Sequence, residues 1–219
     1  MTDEGRAEQD IDPDRRGLWC LAGLAGVLAL IEGGIVLGAM LGGRGAGLRS
    51  LALEYGAFWP GLLYDWVPNY TGQPWGMFLT YAFLHSGPVH LVVNLITLFS
   101  LGRIVIARAG VAKFAALYGA AMLGGAVAFG LLATGPQPMV GASGALFGLA
   151  GAVLAWDYLD RFSERLSLWP VGRAVVLLLA LNLVLWWAMD GLLAWQTHLG
   201  GFLAGWVMAM ILDPVARRV

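Results

Sequence analysis

Charged residues are scarce in this chain. Asp, Glu, Lys and Arg make up 12% of its 219 residues, whereas apolar residues make up 59%. A soluble domain carries about twice that charged share, and no soluble core of this length could absorb so much apolar sequence. The composition therefore predicts a protein that folds in a lipid bilayer. The net charge of −1 indicates nothing about partners, and the sequence has no basic cluster that would suggest nucleic acid.

Cysteine and histidine are rare as well. The lone Cys20 excludes an internal disulfide, and the three histidines form no cluster with the spacing of a metal site. The sequence also lacks a glycine-rich phosphate-binding loop. We therefore expect neither a metal nor an organic cofactor.

The first seventeen residues are polar and rich in Asp, Glu and Arg, which predicts a disordered tail over residues 1–17. An apolar run follows from Leu18. It raises the question of a signal peptide, but it continues to Leu41 without a convincing small-residue cleavage site. We interpret it as a retained first span.

Five more apolar runs approach the length of about 20 residues that a helix needs to cross the hydrocarbon. We predict an all-α fold, a six-helix membrane domain over residues 18–213 with a short tail at 214–219. The predicted spans are 18–41, 89–106, 112–134, 143–158, 172–189 and 197–212. The long segment 42–88 is rich in Trp and Tyr, which favours a position in the membrane interface.

The distribution of Lys and Arg predicts the orientation, because these residues concentrate in cytoplasmic loops. With a cytoplasmic N-terminus, the outer segments hold only Arg44 and Arg49. The inner segments then hold Arg6, Arg15, Arg16, Arg103, Arg108, Lys113, Arg161, Arg165, Arg173, Arg217 and Arg218. Both termini are therefore predicted to be cytoplasmic. The asymmetry, with no targeting presequence, is typical of a bacterial inner-membrane protein.

All three histidines fall where the second or sixth span begins at the outer side. His85 and His90 begin the second span, with Asn94 one turn after His90 on the same helix face. Ser143 begins the fourth span, and His198 begins the sixth. Because these three spans run in the same direction, their first residues are predicted to lie at a similar depth.

These residue types suit acyl transfer. A serine hydroxyl needs a base to take its proton, and His198 is the histidine of the C-terminal helices. An oxyanion needs preorganised donors. The Ser143 N–H at a helix N-terminus, the Asn94 amide and the His90 ring are candidates. The nearest carboxylate is Asp190, in the last outer loop, which favours a dyad over a triad.

Each feature alone has a plainer explanation. The segment Gly141-Ala-Ser143-Gly144 could pack helices, as small residues do in membranes. It differs from a hydrolase nucleophile elbow because Ala145 stands at the last glycine position and no strand precedes it. His198 could be a hydrogen-bonded histidine at a helix end, and His90 with Asn94 could bridge helices. Their combination on helices that run in the same direction favours the catalytic interpretation.

Three segments together resemble the signature segments of rhomboid intramembrane proteases. They are Gly141-Ala-Ser143-Gly144, His90-Leu-Val-Val-Asn94 and His198-Leu-Gly-Gly201-Phe-Leu-Ala-Gly205. The stretch Thr80-Tyr-Ala-Phe-Leu-His85 is similar to the family's entry into its second helix. The likeness extends roughly from Trp75 to Gly205.

The resemblance implies a role for each matching residue. Ser143 would be the nucleophile and His198 the general base, and His90, Asn94 and the Ser143 N–H would form the oxyanion hole. Phe147 matches the aromatic residue on which the family's catalytic histidine packs, and His85 matches a histidine near the active-site water. The substrates would be transmembrane segments of other proteins in the bilayer. The sequence does not indicate the natural substrate or the oligomeric state.

Glycines would let the two catalytic helices approach. Gly201 and Gly205 share one face of the sixth span with His198. Gly144, Gly148 and Gly151 form a matching stripe on the fourth. Glycines at this spacing allow membrane helices to pack backbone against backbone.

The first outer loop departs from the family. Met77 stands where an Arg is usual, and Trp75 is displaced by one position. This departure concerns the hydrogen bonding inside the loop rather than the chemistry.

Two other classes of protein remain as alternatives. An inactive rhomboid-like protein that binds membrane clients would keep the fold but lose Ser143 or His198, and both are present. A small-solute transporter would carry polar residues along a central path, but the charges here are peripheral apart from Glu32. That mid-span carboxylate is costly, and either neutral packing or a functional water path could explain it.

Overall fold

The computed structural model describes residues 13–42 and 47–212. In these ranges the chain forms eight α-helices and two short 3₁₀ turns, at Pro60–Leu63 and Tyr81–Phe83. The helices are α1 Pro13–Leu41, α2 Leu48–Gly56, α3 Gln73–Thr80, α4 Pro88–Ala109, α5 Val111–Leu132, α6 Ser143–Ser163, α7 Trp169–Ala188 and α8 Trp195–Ile211.

The predicted all-α membrane fold is confirmed. Six long helices coincide with the six predicted spans, and α1, α4, α5 and α7 are long and apolar enough to cross a membrane. α8 has 17 residues, and α6 carries Asp157, Asp160 and Arg161 toward its end. The chain is an integral membrane protein built as a helical bundle.

The first helix begins earlier than predicted. Residues 13–17, which we assigned to a disordered tail, belong to α1, and that part of the prediction was wrong. A polar turn adds to a helix at little cost once a long apolar run has nucleated it. The remaining residues of the first predicted tail, 1–12, and the whole of the second, 214–219, lie outside the described residues.

Three helices form the centre of the bundle. α6 packs against both α5 and α8, and α8 also packs against α5. Glycines line these contacts, so backbones meet where side chains would otherwise intervene. α7 lies at the periphery, with Val171 as its one buried residue. α4, α6 and α8 begin at the same end of the bundle, which we call the site end.

The segment between α1 and α4 folds onto the site end. Phe58 is fully buried, and its ring meets those of Phe78 and Phe129 edge to face, at centroid distances of 5.0 and 5.8 Å. Its backbone exchanges two hydrogen bonds with Met139, of 3.0 and 2.9 Å. The segment is therefore joined directly to the chain that leads into α6.

Glu32 of α1 is buried but paired. Its carboxylate lies 2.6 Å from the Arg49 guanidinium of α2, and the same guanidinium donates a 2.8 Å hydrogen bond to the carbonyl oxygen of His85. Neither neutral packing nor a water path accounts for Glu32 as well as this ion pair does. The pair ties α1 and α2 to the residues that lead into α4.

Candidate active site

Ser143 and His198 meet at the site end. Ser143 is the first residue of α6, and its Oγ lies 2.8 Å from Nε2 of His198. His198 is 5% exposed. Phe147, one turn after Ser143, stacks on the imidazole with a centroid distance of 4.1 Å and an interplanar angle of 9°. The imidazole is thus held between a hydroxyl at its edge and an aromatic ring on its face.

Two glycine contacts bring α6 and α8 close enough for this hydrogen bond. A Cβ on Gly201 would overlap the carbonyl oxygen of Gly144, and a Cβ on Gly205 would overlap that of Gly148. The predicted glycine stripes therefore face each other along the two helices. Leu203, by contrast, is 53% exposed on another face of α8.

The chain before Ser143 has a shape that only glycine suits. Gly141 has a φ of +125°, which disfavours any residue with a Cβ. A Cβ there would also lie 2.7 Å from Cε1 of His90. The Gly141 N–H donates a 2.9 Å hydrogen bond to the carbonyl oxygen of Tyr81. These contacts fix the direction from which the chain enters α6.

His90 and Asn94 of α4 face this backbone. The Nδ1 atom of His90 lies 3.4 Å from the Ser86 N–H, which donates to it, and 3.0 Å from the Ser86 hydroxyl. Because Nδ1 accepts a hydrogen bond, a neutral His90 carries its proton on Nε2, which faces Gly141. Asn94 is 4% exposed, and its Nδ2 has no hydrogen-bond partner among the described residues. Two donors thus converge on the residues just before Ser143.

His85 lies behind His90. The two rings meet edge to face at 5.2 Å, and His85 is 1% exposed. Within the described ranges its ring nitrogens have no hydrogen-bond partner. Burial, and secondarily the charge of His90, lower the pKa of His85 to about 4. His85 is therefore neutral at physiological pH. Among the described residues, no hydrogen bond joins His85 to Ser143.

Asn182 is not among the site residues that the sequence predicted. This residue of α7 places its Oδ1 2.7 Å from Nδ1 of His198. The signal that could have found it is composition, because Asn182 is the one amide in the long apolar stretch that follows Arg173, where a polar side chain is costly without a partner.

The arrangement suits proton transfer between a hydroxyl and an imidazole, with amide and imidazole donors nearby. The described residues include no group of three or more His, Cys, Asp or Glu that could hold a metal ion.

A family model described as Rhomboid domain matches residues 71–214. The chain belongs to the rhomboid family. Among its relatives are the Rhomboid protease GluP of Bacillus subtilis, 32% identical over 63% of this chain, and RHOMBOID-like protein 5 of Arabidopsis thaliana, 32% identical over 64%. Rhomboid-type serine protease 2 of Emericella nidulans is 32% identical over 66%. The matches span 26%, 45% and 28% of these relatives' own lengths.

The unusual first loop of this rhomboid has its own internal hydrogen bonds. Met77, at the position where the family usually has Arg, is fully buried in the apolar core. The buried Gln73 donates a 2.6 Å hydrogen bond to the carbonyl oxygen of Glu54 and accepts one of 2.7 Å from the Asn69 N–H. Thr80 donates a 2.7 Å bond to the carbonyl oxygen of Gly56. These side chains connect α2 to α3.

Proposed function

We propose that this rhomboid is an intramembrane serine endopeptidase that hydrolyses peptide bonds in or near transmembrane segments of other membrane proteins. The observation that carries the proposal is the 2.8 Å contact between Ser143 Oγ and His198 Nε2. A serine with a hydrogen-bonded imidazole is the arrangement that activated nucleophiles require. In this chain it occurs inside an apolar bundle, where a soluble substrate would not reach it readily.

The reaction follows the general course of serine hydrolases. Nε2 of His198 takes the hydroxyl proton while Ser143 Oγ attacks the scissile carbonyl carbon. The tetrahedral intermediate collapses, the C–N bond breaks, and His198 returns the proton to the leaving amine. Water, deprotonated by His198, then hydrolyses the acyl-enzyme and frees Ser143.

The oxyanion would be stabilised by the donors that surround Gly141. They are the His90 Nε2–H, the Asn94 amide and the backbone N–H of Ser143 at the start of α6. Such donors act most strongly where water is excluded. The support for Asn94 is that a buried amide N–H₂ faces this position with no other acceptor among the described residues.

The names of the relatives agree with this proposal. The Bacillus protein is named a rhomboid protease, and the Emericella protein a rhomboid-type serine protease. Other relatives are named only as RHOMBOID-like proteins. A non-catalytic rhomboid that binds membrane clients would have no need of both the serine and its hydrogen-bonded histidine, so we favour the protease.

We further propose that both termini are cytoplasmic and that the site end faces the outer side of a bacterial inner membrane. The support is the concentration of Lys and Arg in the loops opposite the site end. Cysteine-accessibility labelling at the loop between α6 and α7 would test this orientation, with labelling from the cytoplasmic side as the expected result.

The proposed activity is tested by reconstituting the protein in liposomes with a panel of single-span membrane proteins. We expect the wild type to cleave at least one of them and Ser143→Ala to cleave none while keeping its helical circular dichroism and thermal midpoint. Cleavage by Ser143→Ala at the wild-type rate, in a preparation free of host protease, would exclude Ser143 as the nucleophile. Binding of panel members without cleavage by the wild type would favour the client-binding alternative.

A further inference from the structure

We propose that Asn182 of α7 is a positioning residue for His198. It would fix the imidazole in the tautomer that can accept the proton of Ser143, so that the proposed dyad works as a Ser143–His198–Asn182 relay of hydrogen bonds. This inference rests on the proposed function for its kinetic consequences. The geometric part of the inference is independent of it.

The orientation of the Asn182 amide follows from its two contacts. Nδ2 lies 3.4 Å from the carbonyl oxygen of Leu178, one turn earlier on α7. A carbonyl oxygen only accepts, so the N–H₂ side of the amide belongs there. Oδ1 is therefore the atom that faces His198, at 2.7 Å from Nδ1.

The amide orientation decides the imidazole tautomer. An amide oxygen only accepts, so Nδ1 of His198 must be the N–H that donates to Asn182. A neutral imidazole with its proton on Nδ1 has a lone pair on Nε2. That lone pair faces the Ser143 hydroxyl at 2.8 Å. The opposite tautomer would place an N–H against Oγ and could not act as a base.

The same contact would serve after proton transfer. When Nε2 has taken the serine proton, the imidazolium still donates its Nδ1–H to Asn182, and a hydrogen bond from a charged donor is stronger than a neutral one. Asn182 is thus suited to both protonation states without changing its own. Among the described residues, no hydrogen bond joins His198 to Asp190, the carboxylate nearest to it in sequence.

Asn182 has no obvious packing role that would explain an amide at this place. α7 is the most exposed of the four apolar spans, since only 6% of its most apolar residues are buried. Leu181 and Leu183, on either side of Asn182, are 48% and 65% exposed. Within the described residues, α7 is joined to another long helix by the hydrogen bond between Asn182 and His198. An amide without a partner in such a span would cost free energy. The hydrogen bond to His198 offsets that cost.

Two substitutions separate positioning from packing. Asn182→Leu keeps the approximate size but removes the acceptor, and Asn182→Asp keeps an acceptor oxygen. We expect Asn182→Leu to lower kcat ~10- to 100-fold, the effect of leaving one buried hydrogen-bonding group without its partner, with KM nearly unchanged. Asn182→Asp should retain most of the turnover. Leu183→Ala, at an exposed neighbouring position, is the control and should behave as the wild type.

The tautomer is measured directly by nitrogen NMR of ¹⁵N-histidine-labelled protein at mildly alkaline pH, since the chain has three histidines and His198→Ala identifies the signal. We expect the Nδ1–H tautomer in the wild type and a mixture of tautomers in Asn182→Leu. An Nε2–H tautomer in the wild type would overturn the inference. So would unchanged kcat in Asn182→Leu, or equal losses in the Leu and Asp variants. If the wild type cleaves nothing, the proposed function fails, while the NMR result still decides whether Asn182 orients His198.

Discussion

Ser143 Oγ and His198 Nε2 lie 2.8 Å apart although 55 positions separate the two residues in the sequence. The contact depends on two helices that begin at the same end of the bundle and approach through glycine. Phe147 on one face of the imidazole and Asn182 at its Nδ1 restrict the ring further. Three side-chain contacts, two from α6 and one from α7, thus determine the position of the His198 imidazole.

The first prediction concerns the unit formed by Ser143 and His198. If the imidazole acts only by taking the serine proton, His198→Ala should be as inactive as Ser143→Ala. The double variant should be no worse than either, because residues that act as a unit are not additive. The measurement is the cleavage rate of one substrate by all four proteins. Losses that add up in the double variant would show that the two residues act separately.

The second prediction concerns Asn94. Loss of one oxyanion donor commonly costs ~10²- to 10³-fold in kcat, so Asn94→Ala should lower turnover by that order and leave KM nearly unchanged. Thr97→Ala is the control, since Thr97 lies one turn later on α4 and its hydroxyl donates to the carbonyl oxygen of Val93 on the same helix. A change confined to KM would assign Asn94 to substrate contact instead.

The third prediction concerns the glycine contact between α6 and α8. Gly201→Val places side-chain atoms where the carbonyl oxygen of Gly144 lies, so the helices must separate. We expect a loss of stability of about 1–3 kcal/mol or more, together with a sharp fall in cleavage. Leu203→Val, at a half-exposed position, should be mild. Thermal unfolding in detergent compares the two, and equal midpoints would show that α8 does not pack through this face.

The fourth prediction concerns the buried carboxylate of Glu32. Arg49→Met would leave it without its partner, and breaking a buried ion pair costs several kcal/mol. Because the Arg49 side chain is 32% exposed, we expect Arg49→Met to lower the free energy of unfolding by about 3 kcal/mol, near the lower end of the range for buried ion pairs. Adding Glu32→Gln to Arg49→Met should recover most of the lost stability, because no unpaired charge is then buried at position 32. Denaturant unfolding of the single and double variants gives the coupling. Purely additive effects would mean that the pair does not stabilise the fold.

The sequence was sufficient for the parts of the fold that depend on hydropathy. Six long helices follow from six apolar runs. The shared direction of the second, fourth and sixth runs predicted that Ser143, His198 and His90 lie at a similar depth. In the structure Ser143 contacts His198, and His90 lies beside Gly141. These inferences need only helix length and connection order, which are local properties of the chain.

The contacts of Asn182 and Arg49 could not be predicted from hydropathy or from the order of the helices. Apart from Arg173 and Asn182, α7 is apolar on every face, so no hydrophobic stripe indicates which of its faces meets α8. The distance between Arg49 and Glu32 depends on how α2 folds back on α1. Both contacts are set by the rotation and tilt of whole helices, and those follow from tertiary packing rather than from local pattern.

The most direct test of the account is covalent labelling of the nucleophile. A fluorophosphonate reacts with an activated serine by forming a P–O bond to Oγ and releasing fluoride, and an unactivated serine reacts poorly. Peptide mass spectrometry should find a single label on Ser143 of the folded wild type, and no label in Ser143→Ala or His198→Ala. A wild type that cleaves its substrate but carries the label on another residue, or labelling of Ser143 that persists in His198→Ala, would contradict the proposed Ser143–His198 mechanism.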